Sequence, residues 1–329
     1  MAPPDVEPSL ASQKLSRLIS SCKMTGAVFA VAGEHRDAAD DVHVSSMLLR
    51  VGKLRGDGTP AGTPMDAATR AGVALLLRLA LARLEQMPGA HIANTLWAVA
   101  KLGINEPARM GVPAWVDAFV SRAWLELPRF NPKNVAHTAW ALASLDYHGP
   151  AFMHALLQTA TPQLSNFNAQ NLSNTTWALA TLGHSDAAFM GALLVVGKHK
   201  LPSFDPQSLA NTAWGMAILD CNDSAFMGAL LAAATPRLRT FAPQDLANIA
   251  WALGILDYVD PAFMRALMET ASAKLPRFSN TEVNQLHAAL SMLDINHEVA
   301  RAVAELHIAR AAAPKRIVNT KPIAMRAPS

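Results

Sequence analysis

Six polar residues stand at one recurring place in the chain: His91, Asn134, Asn171, Ser208, Asp245 and Glu282. All are hydrogen-bonding types, and the type changes at almost every step. A donor or acceptor that varies on a repeated scaffold is the arrangement with which helical-repeat readers of single-stranded RNA select one base per unit. Three residues after each of the first five comes a second polar position, held by Asn94, His137, Asn174, Asn211 and Asn248. Nearly constant, it cannot discriminate between bases, and asparagine there is expected to bond the backbone of a neighbouring unit. A third set, Arg129, Lys198, Lys200, Arg237, Arg239, Lys274 and Arg277, gathers cations at the ends of units. That edge adjoins helix starts with free N–H groups, which suits phosphate, and it equally complements the helix dipoles.

The elements that must carry these columns are legible from spacing. Trp97, Trp140, Trp177, Trp214 and Trp251 are separated by 43 residues and then by 37 three times; the excess falls at EPARMGV, residues 106–112. Phe130, Phe167, Phe204, Phe241 and Phe278 recur every 37 residues. After the phenylalanine comes a capping residue (Asn131, Asn168 or Asp205), and Pro132, Pro206 and Pro243 mark the first helical position. A second helix starts near Pro150, Ala187, Ser224 and Pro261 and carries a Phe-Met pair. Pro162 and Pro236 fall late in it and are expected to kink or end it. Two amphipathic helices per unit cannot bury their apolar faces alone, so the expectation is an all-α fold, an α-solenoid of tandem helix-turn-helix repeats with a 37-residue period. On the first helix Val135, Leu172, Leu209 and Leu246, with Leu142, Leu145, Leu179 and Leu182, form the core stripe. The tryptophans and Phe-Met pairs are read as core as well. Ala141, Ala178, Gly215 and Ala252 follow on the polar face, small enough to let a planar base approach.

Four segments result: a loose N-terminus at 1–13, a divergent helical cap and linker at 14–66, the repeat array at 67–310 and a basic tail at 311–329. The cap is expected to hold two helices, roughly 14–32 and 42–53, before the Gly/Pro-rich loop at 55–66. The Arg-Gly-Asp triplet opening that loop is three common residues and supports no adhesion reading. Lys14, Arg17 and Lys23 among serines have the composition of a transit peptide, but Asp5 and Glu7 precede them, and transit peptides avoid acids. With 51% apolar and 16% charged residues the chain has ample material for burial, yet no apolar run suits a membrane span. Two cysteines exclude a disulfide framework or a cysteine-rich zinc site. The histidines share no ligand spacing with carboxylates or thiols, and no Gly-rich loop follows a strand, so no enzyme, metal or cofactor is expected.

The segments LANTAWGMAILD, LSNTTWALATLG, IANTLWAVAKLG and LANIAWALGILD, each after Phe-x-Pro-Gln or a variant, resemble the octotricopeptide repeat of algal organelle proteins, a group related to FAST leucine-rich and RAP-type proteins. The Leu-Pro-Arg-Phe junctions at 127–130 and 275–278 fit it, and the resemblance covers about residues 67–310. Two features depart from it: the second helix opens with Pro-Ala-Phe rather than Pro-Pro-x-x-Trp, and no stretch reads as the RAP domain that some members carry. The resemblance implies single-stranded RNA binding in chloroplast or mitochondrion, acting on transcript stability, processing or translation, alongside other organelle gene-expression proteins.

Two functions stay open on these residues. One is single-stranded RNA readout through the first-helix face, with a salt slope of about −3 to −5 at about −0.7 per phosphate. The other is a protein-binding scaffold, which the weak net charge of +3 and the near-neutral repeats favour. The oligomeric state is not legible.

Overall fold

The structure, a computed structural model, describes residues 9–56, 65–104, 115–294, 301, 303–306 and 308. Residues 1–8, most of the Gly/Pro-rich linker, the insertion at 106–112 and the basic tail at 311–329 lie outside the described residues. The described residues hold helices and no strand. Two compact units form, Met1–Thr159 and Ala160–Ser329.

The first unit contains α1 (Leu10–Ser21), α2 (Thr25–Glu34), α3 (Asp41–Gly56), α4 (Ala67–Ala82), α5 (Gly89–Lys101), α6 (Trp115–Glu126), α7 (Pro132–Ser144) and α8, which runs to Ala160 from Pro150. The second contains α9 (Ala169–Leu182), α10 (Ala187–Lys200), α11 (Pro206–Ile218), α12 (Ser224–Ala234), α13 (Pro243–Ile255), α14 (Pro261–Lys274) and α15 (Asn280–Met292). First helices pack side by side, α3 on α5 on α7 in one unit and α9 on α11 on α13 on α15 in the other. The intervening helices flank them, which is α-solenoid packing of sequence-adjacent pairs.

The cap differs from expectation. A single helix over 14–32 is broken at Cys22–Met24 into α1 and α2. Ser20 and Ser21 hydroxyls donate to the Arg17 and Leu18 carbonyls, and Arg50 of α3 donates to the Cys22 carbonyl at 2.7 Å. Those bonds satisfy the helix end that continuation would have occupied. The helix α3 then packs on α5 as a first helix does elsewhere.

Local chemistry sets each helix end. Asn131, Asn168 and Asp205 accept the amides of Asn134, Asn171 and Ser208 at 3.0, 2.8 and 2.6 Å. Asp186, Asp223 and Asp260 cap the second helices by accepting the Phe189, Phe226 and Phe263 amides at 2.9, 2.7 and 2.9 Å. Each such cap contributes about 1 kcal/mol. First helices end on a left-handed residue: Asp146, Gly183, Asp220, Asp257 and Asp294 all have φ between 48° and 62°. The amide after it reaches back to close the last turn, as Cys221 N–H does to the Met216 carbonyl at 2.8 Å. The acids of the inter-helix turns are thus caps and left-handed stops. The second helices α8 and α12 do end early, at Ala160 and Ala234, where Pro162 and Pro236 enter 3-10 turns.

Every unit closes on its phenylalanine. Phe130, Phe167, Phe204, Phe241 and Phe278 are each at most 2% exposed. In the second unit the residue four before the phenylalanine ties down the preceding phenylalanine's carbonyl: Lys200 donates to Phe167 O at 2.6 Å, Arg237 to Phe204 O and Lys274 to Phe241 O. Lys200 also reaches Ser165 O at 2.6 Å, and Lys274 reaches Arg239 O at 2.7 Å. In the first unit the same place holds Glu126, whose carboxylate accepts the Gly89 amide at 3.3 Å and is held by Arg122 and Arg129 at 2.9 and 3.2 Å.

An L-residue at positive φ is strained where glycine is not. Asp220→Gly and Asp257→Gly are therefore expected to raise the unfolding free energy by about 0.5–1 kcal/mol each, and Gly183→Asp to lower it by a similar amount. Urea midpoints at unchanged slope would check this.

Candidate nucleic-acid interface

The expected first column sits at the third residue of each first helix, and most of its hydrogen-bonding capacity faces the helix start. Asn171 returns the favour of its cap by accepting the Asn168 amide at 3.2 Å. Asp245 accepts the Ala242 amide at 2.9 Å, the one half of a capping box open to a helix that starts after alanine. Glu282 accepts the Ser279 amide at 2.6 Å, and Ser279 Oγ accepts the Glu282 amide at 3.3 Å. His91 bonds Asp41 of α3 through Nδ1 at 2.7 Å. Asn134, Asn171 and Ser208 are buried, whereas His91, Asp245 and Glu282 are half-buried. At Asn171, Asp245 and Glu282 the residue type therefore has a local cause in pairing with the amide of the residue three before it, a bond that the Asn134, Ser208 and His91 side chains do not make among the described residues.

The second column behaves otherwise. The backbone bonds expected of it are not made among the described residues. Asn248 accepts the side-chain amide of Gln285 at 2.9 Å, one unit on, while the Asn94, Asn174 and Asn211 amides make no hydrogen bond among the described residues. Asn174 and Asn211 are each only 6% exposed, yet both line an open cleft on the seam between α9 and α11. Gln170, Ser173, Asp205, Gln207 and Ser208 complete its wall, and the space within it is about 250 Å³ with its mouth included. Nearly all of this lining is polar and neutral. Gln170 and Gln207 were not singled out by the sequence reading, although glutamine or lysine recurs there as Lys133, Gln170, Gln207 and Gln244.

One expectation about this face needs correction. Ala141, Ala178, Gly215 and Ala252 are buried and line helix–helix contacts instead of an open surface. A Cβ on Gly215 would lie 2.8 Å from Thr176 Cγ2 and 3.2 Å from its carbonyl, so the small residue serves the approach of α11 to α9. Of the unit-end cations, Lys200, Arg237 and Lys274 are engaged by phenylalanine carbonyls and Arg129 by Glu126; Arg129 is nonetheless exposed, as are Lys198, Arg239 and Arg277. The tryptophans pack against one another along the seams, with ring centroids 6.3 Å apart for Trp97–Trp140 and 6.5 Å for Trp214–Trp251. Trp97, Trp140 and Trp177 are buried; Trp214 and Trp251 are half-buried. The Phe-Met pairs are core throughout.

His137 takes the asparagine place in α7 and stacks on Trp97, with centroids 5.4 Å apart and planes 20° from parallel. Burial, and secondarily the charges of Lys133 and Lys53, lower its pKa to about 4.

Paired helices with a polar seam on adjacent first helices define a helical-repeat protein of α-solenoid packing. Residues 147–316 match the family described as Tbc2 translation factor, N-terminal domain, and the chain belongs to that family. No curated protein matches the chain. Among known structures, a chain of a homology model of the full-length AP-3 complex in an intermediate open conformation is similar at 12% identity and a TM-score of 0.32, over 90% of this chain and 51% of that one. This chain thus spans about half of that chain's length, and so slight a likeness bears on neither fold nor function.

A histidine kept neutral by the fold makes stability depend on pH. With a folded pKa of about 4 against 6.5 unfolded, His137 contributes fully above pH 6.5, and its contribution is lost as the pH falls toward 4. His137→Asn is expected to lose about 1–2 kcal/mol less stability than the native chain between pH 7.5 and 4.5, after discounting for partial solvent screening. Thermal unfolding at the two pH values would show it.

Proposed function

We propose that this chain is an organellar repeat protein that binds single-stranded RNA through its first-helix seams and acts in translation, transcript stability or processing, without catalytic activity of its own. The observation that carries the reading is the pair of Asn174 and Asn211 amides, buried but unbonded among the described residues, lining an open polar cleft. A carboxamide presents a donor and an acceptor side by side, the pattern that matches a base edge. The Ser208 hydroxyl lies in the same cleft. Membership of a translation-factor family supports a role in translation, and the resemblance to octotricopeptide repeats, with a unit of 37 residues, supports an organelle, chloroplast or mitochondrion, as the place.

In this reading one unit faces about one nucleotide, with the asparagine column holding each base edge in the same way and the varying first column adding selection where it faces the seam, as Ser208 does. No helix among the described residues is long and apolar enough to cross a membrane, so partners are sought among RNA and other gene-expression proteins. The second reading, a protein-binding scaffold, rests on the same amides, because asparagine ladders also hold extended peptide backbones.

Selection from a randomised single-stranded RNA pool separates the two. An enriched motif is expected, and Asn174→Ala with Asn211→Ala should weaken binding to it about tenfold, the equivalent of about 1.4 kcal/mol. A flat selection, together with peptide capture that depends on the same asparagines, would favour the scaffold.

A further inference from the structure

One position near the end of the first helices changes character along the chain. At 37-residue spacing it holds Ser144 and Thr181, then Ile218, Ile255 and Met292. The last three are 41, 44 and 42% exposed, so burial does not account for their being apolar. Two contacts set them side by side. The Asn222 side-chain amide, just after α11, donates to the Leu256 carbonyl, just after α13, at 3.3 Å. Met292 Cε of α15 lies 3.0 Å from where a Cβ on Gly254 of α13 would stand. Val259, beyond the end of α13, is exposed as well.

Each of the three is followed two residues later by an exposed aspartate, Asp220, Asp257 or Asp294, at a φ of 51°, 48° or 50°. The backbone there suits glycine, which Gly183 supplies after α9. A charged residue held in that conformation costs stability and is not needed to stop the helix. Their carboxylates make no hydrogen bond or ion pair among the described residues, unlike Asp146, which His148 meets at 3.3 Å. Asp223 and Asp260 cap the second helices close by. Across residues 216–226, 253–264 and 288–294 stand these five aspartates and no lysine, arginine or histidine. The result is an apolar ridge with an acidic margin, which repels a polyanion and attracts an apolar segment carrying cations.

Residues 311–329 have that chemistry. Lys315 and Arg316 precede Ile317 and Val318, Lys321 and Arg326 flank Ile323 and Met325, and the segment holds no acid. The chain approaches it from Val303, whose side chain is fully buried. Its 19 residues can extend to about 60 Å at about 3.3 Å each, whereas three adjacent helices span about 20 Å.

We propose that Ile218, Ile255 and Met292 form the docking site of this chain's own residues 311–329, with the apolar side chains of that segment on the ridge and its cations against Asp220, Asp257 and Asp294. Ile218 and Ile255 stand seven residues after Asn211 and Asn248, on the same helix face, so the docked segment lies beside the polar seam.

The test uses the full chain carrying the photoreactive residue p-benzoylphenylalanine at Ile255 or at Ile218, with the crosslinked peptides mapped by mass spectrometry. Crosslinks to 311–329 within one chain are expected. Asp220→Asn, Asp257→Asn and Asp294→Asn together keep a residue type that accepts positive φ and should lower the yield about fivefold. Ile317→Ser with Ile323→Ser should lower it similarly. The photoreactive residue placed instead at Ile323, outside the packed helices, should mark 214–222 or 251–259. Crosslinks that fall only outside 311–329, or that the asparagine replacements leave undiminished in a chain with native circular dichroism, would overturn the proposal. So would a covalent dimer, which gives the ridge to a second copy, or labelling of added single-stranded RNA in place of 311–329, which gives it to RNA.

Discussion

The bond from a cation to a phenylalanine carbonyl 33 residues earlier holds the second unit in register. Lys200, Arg237 and Lys274 each reach across to the point where the preceding unit turns into its first helix. That point is otherwise weak: a short 3-10 turn ends there, the phenylalanine ring is fully buried, and its carbonyl precedes the cap. An unpaired carbonyl beside a buried ring would be costly, and a charge-assisted donor removes that cost. With the junction fixed, the angle at which the next first helix leaves is fixed, and so is the seam on which Asn174 and Asn211 lie.

The polar face of the first helices divides into two kinds of work by position. At Asn171, Asp245 and Glu282 the third residue looks back toward its own helix start and accepts the amide of the residue three before it, whereas Ser208 lies in the cleft wall and His91 bonds Asp41 of α3. The sixth residue looks sideways, into the seam between adjacent helices. There the residue is nearly constant and its amide is either joined to the next unit, as Asn248 is to Gln285, or left with an open cleft in front of it. Chemical variety thus marks the column that in three places completes a helix start, whereas the column that lies along the cleft is the more uniform one.

Helix positions were legible in the sequence because their signals are local. Asn131-Pro132 and Asp205-Pro206 start helices by capping and a preset φ, and the Asp or Gly after each leucine stops them. The Ser279-x-x-Glu282 box was also there to be read. What could not be read depends on residues far apart in the chain. Arg50 reaching Cys22 breaks the first helix, and Lys200 reaching Phe167 removes a cation from the unit-end set. Periodicity placed Ala178 and Gly215 on the polar face, but only the approach of α11 to α9 shows that this part of the face is closed.

The junction bond also bears on how such a chain grows. Its two ends lie 33 residues apart and belong to consecutive units, while each capping pair lies within a single unit. A tandem duplication copying one period, wherever the cut falls, regenerates both the local pairs and the long bond without any compensating substitution. Lengthening by whole periods is therefore structurally neutral at every breakpoint, whereas an insertion of any other length between the two ends must loop out to leave the junction intact.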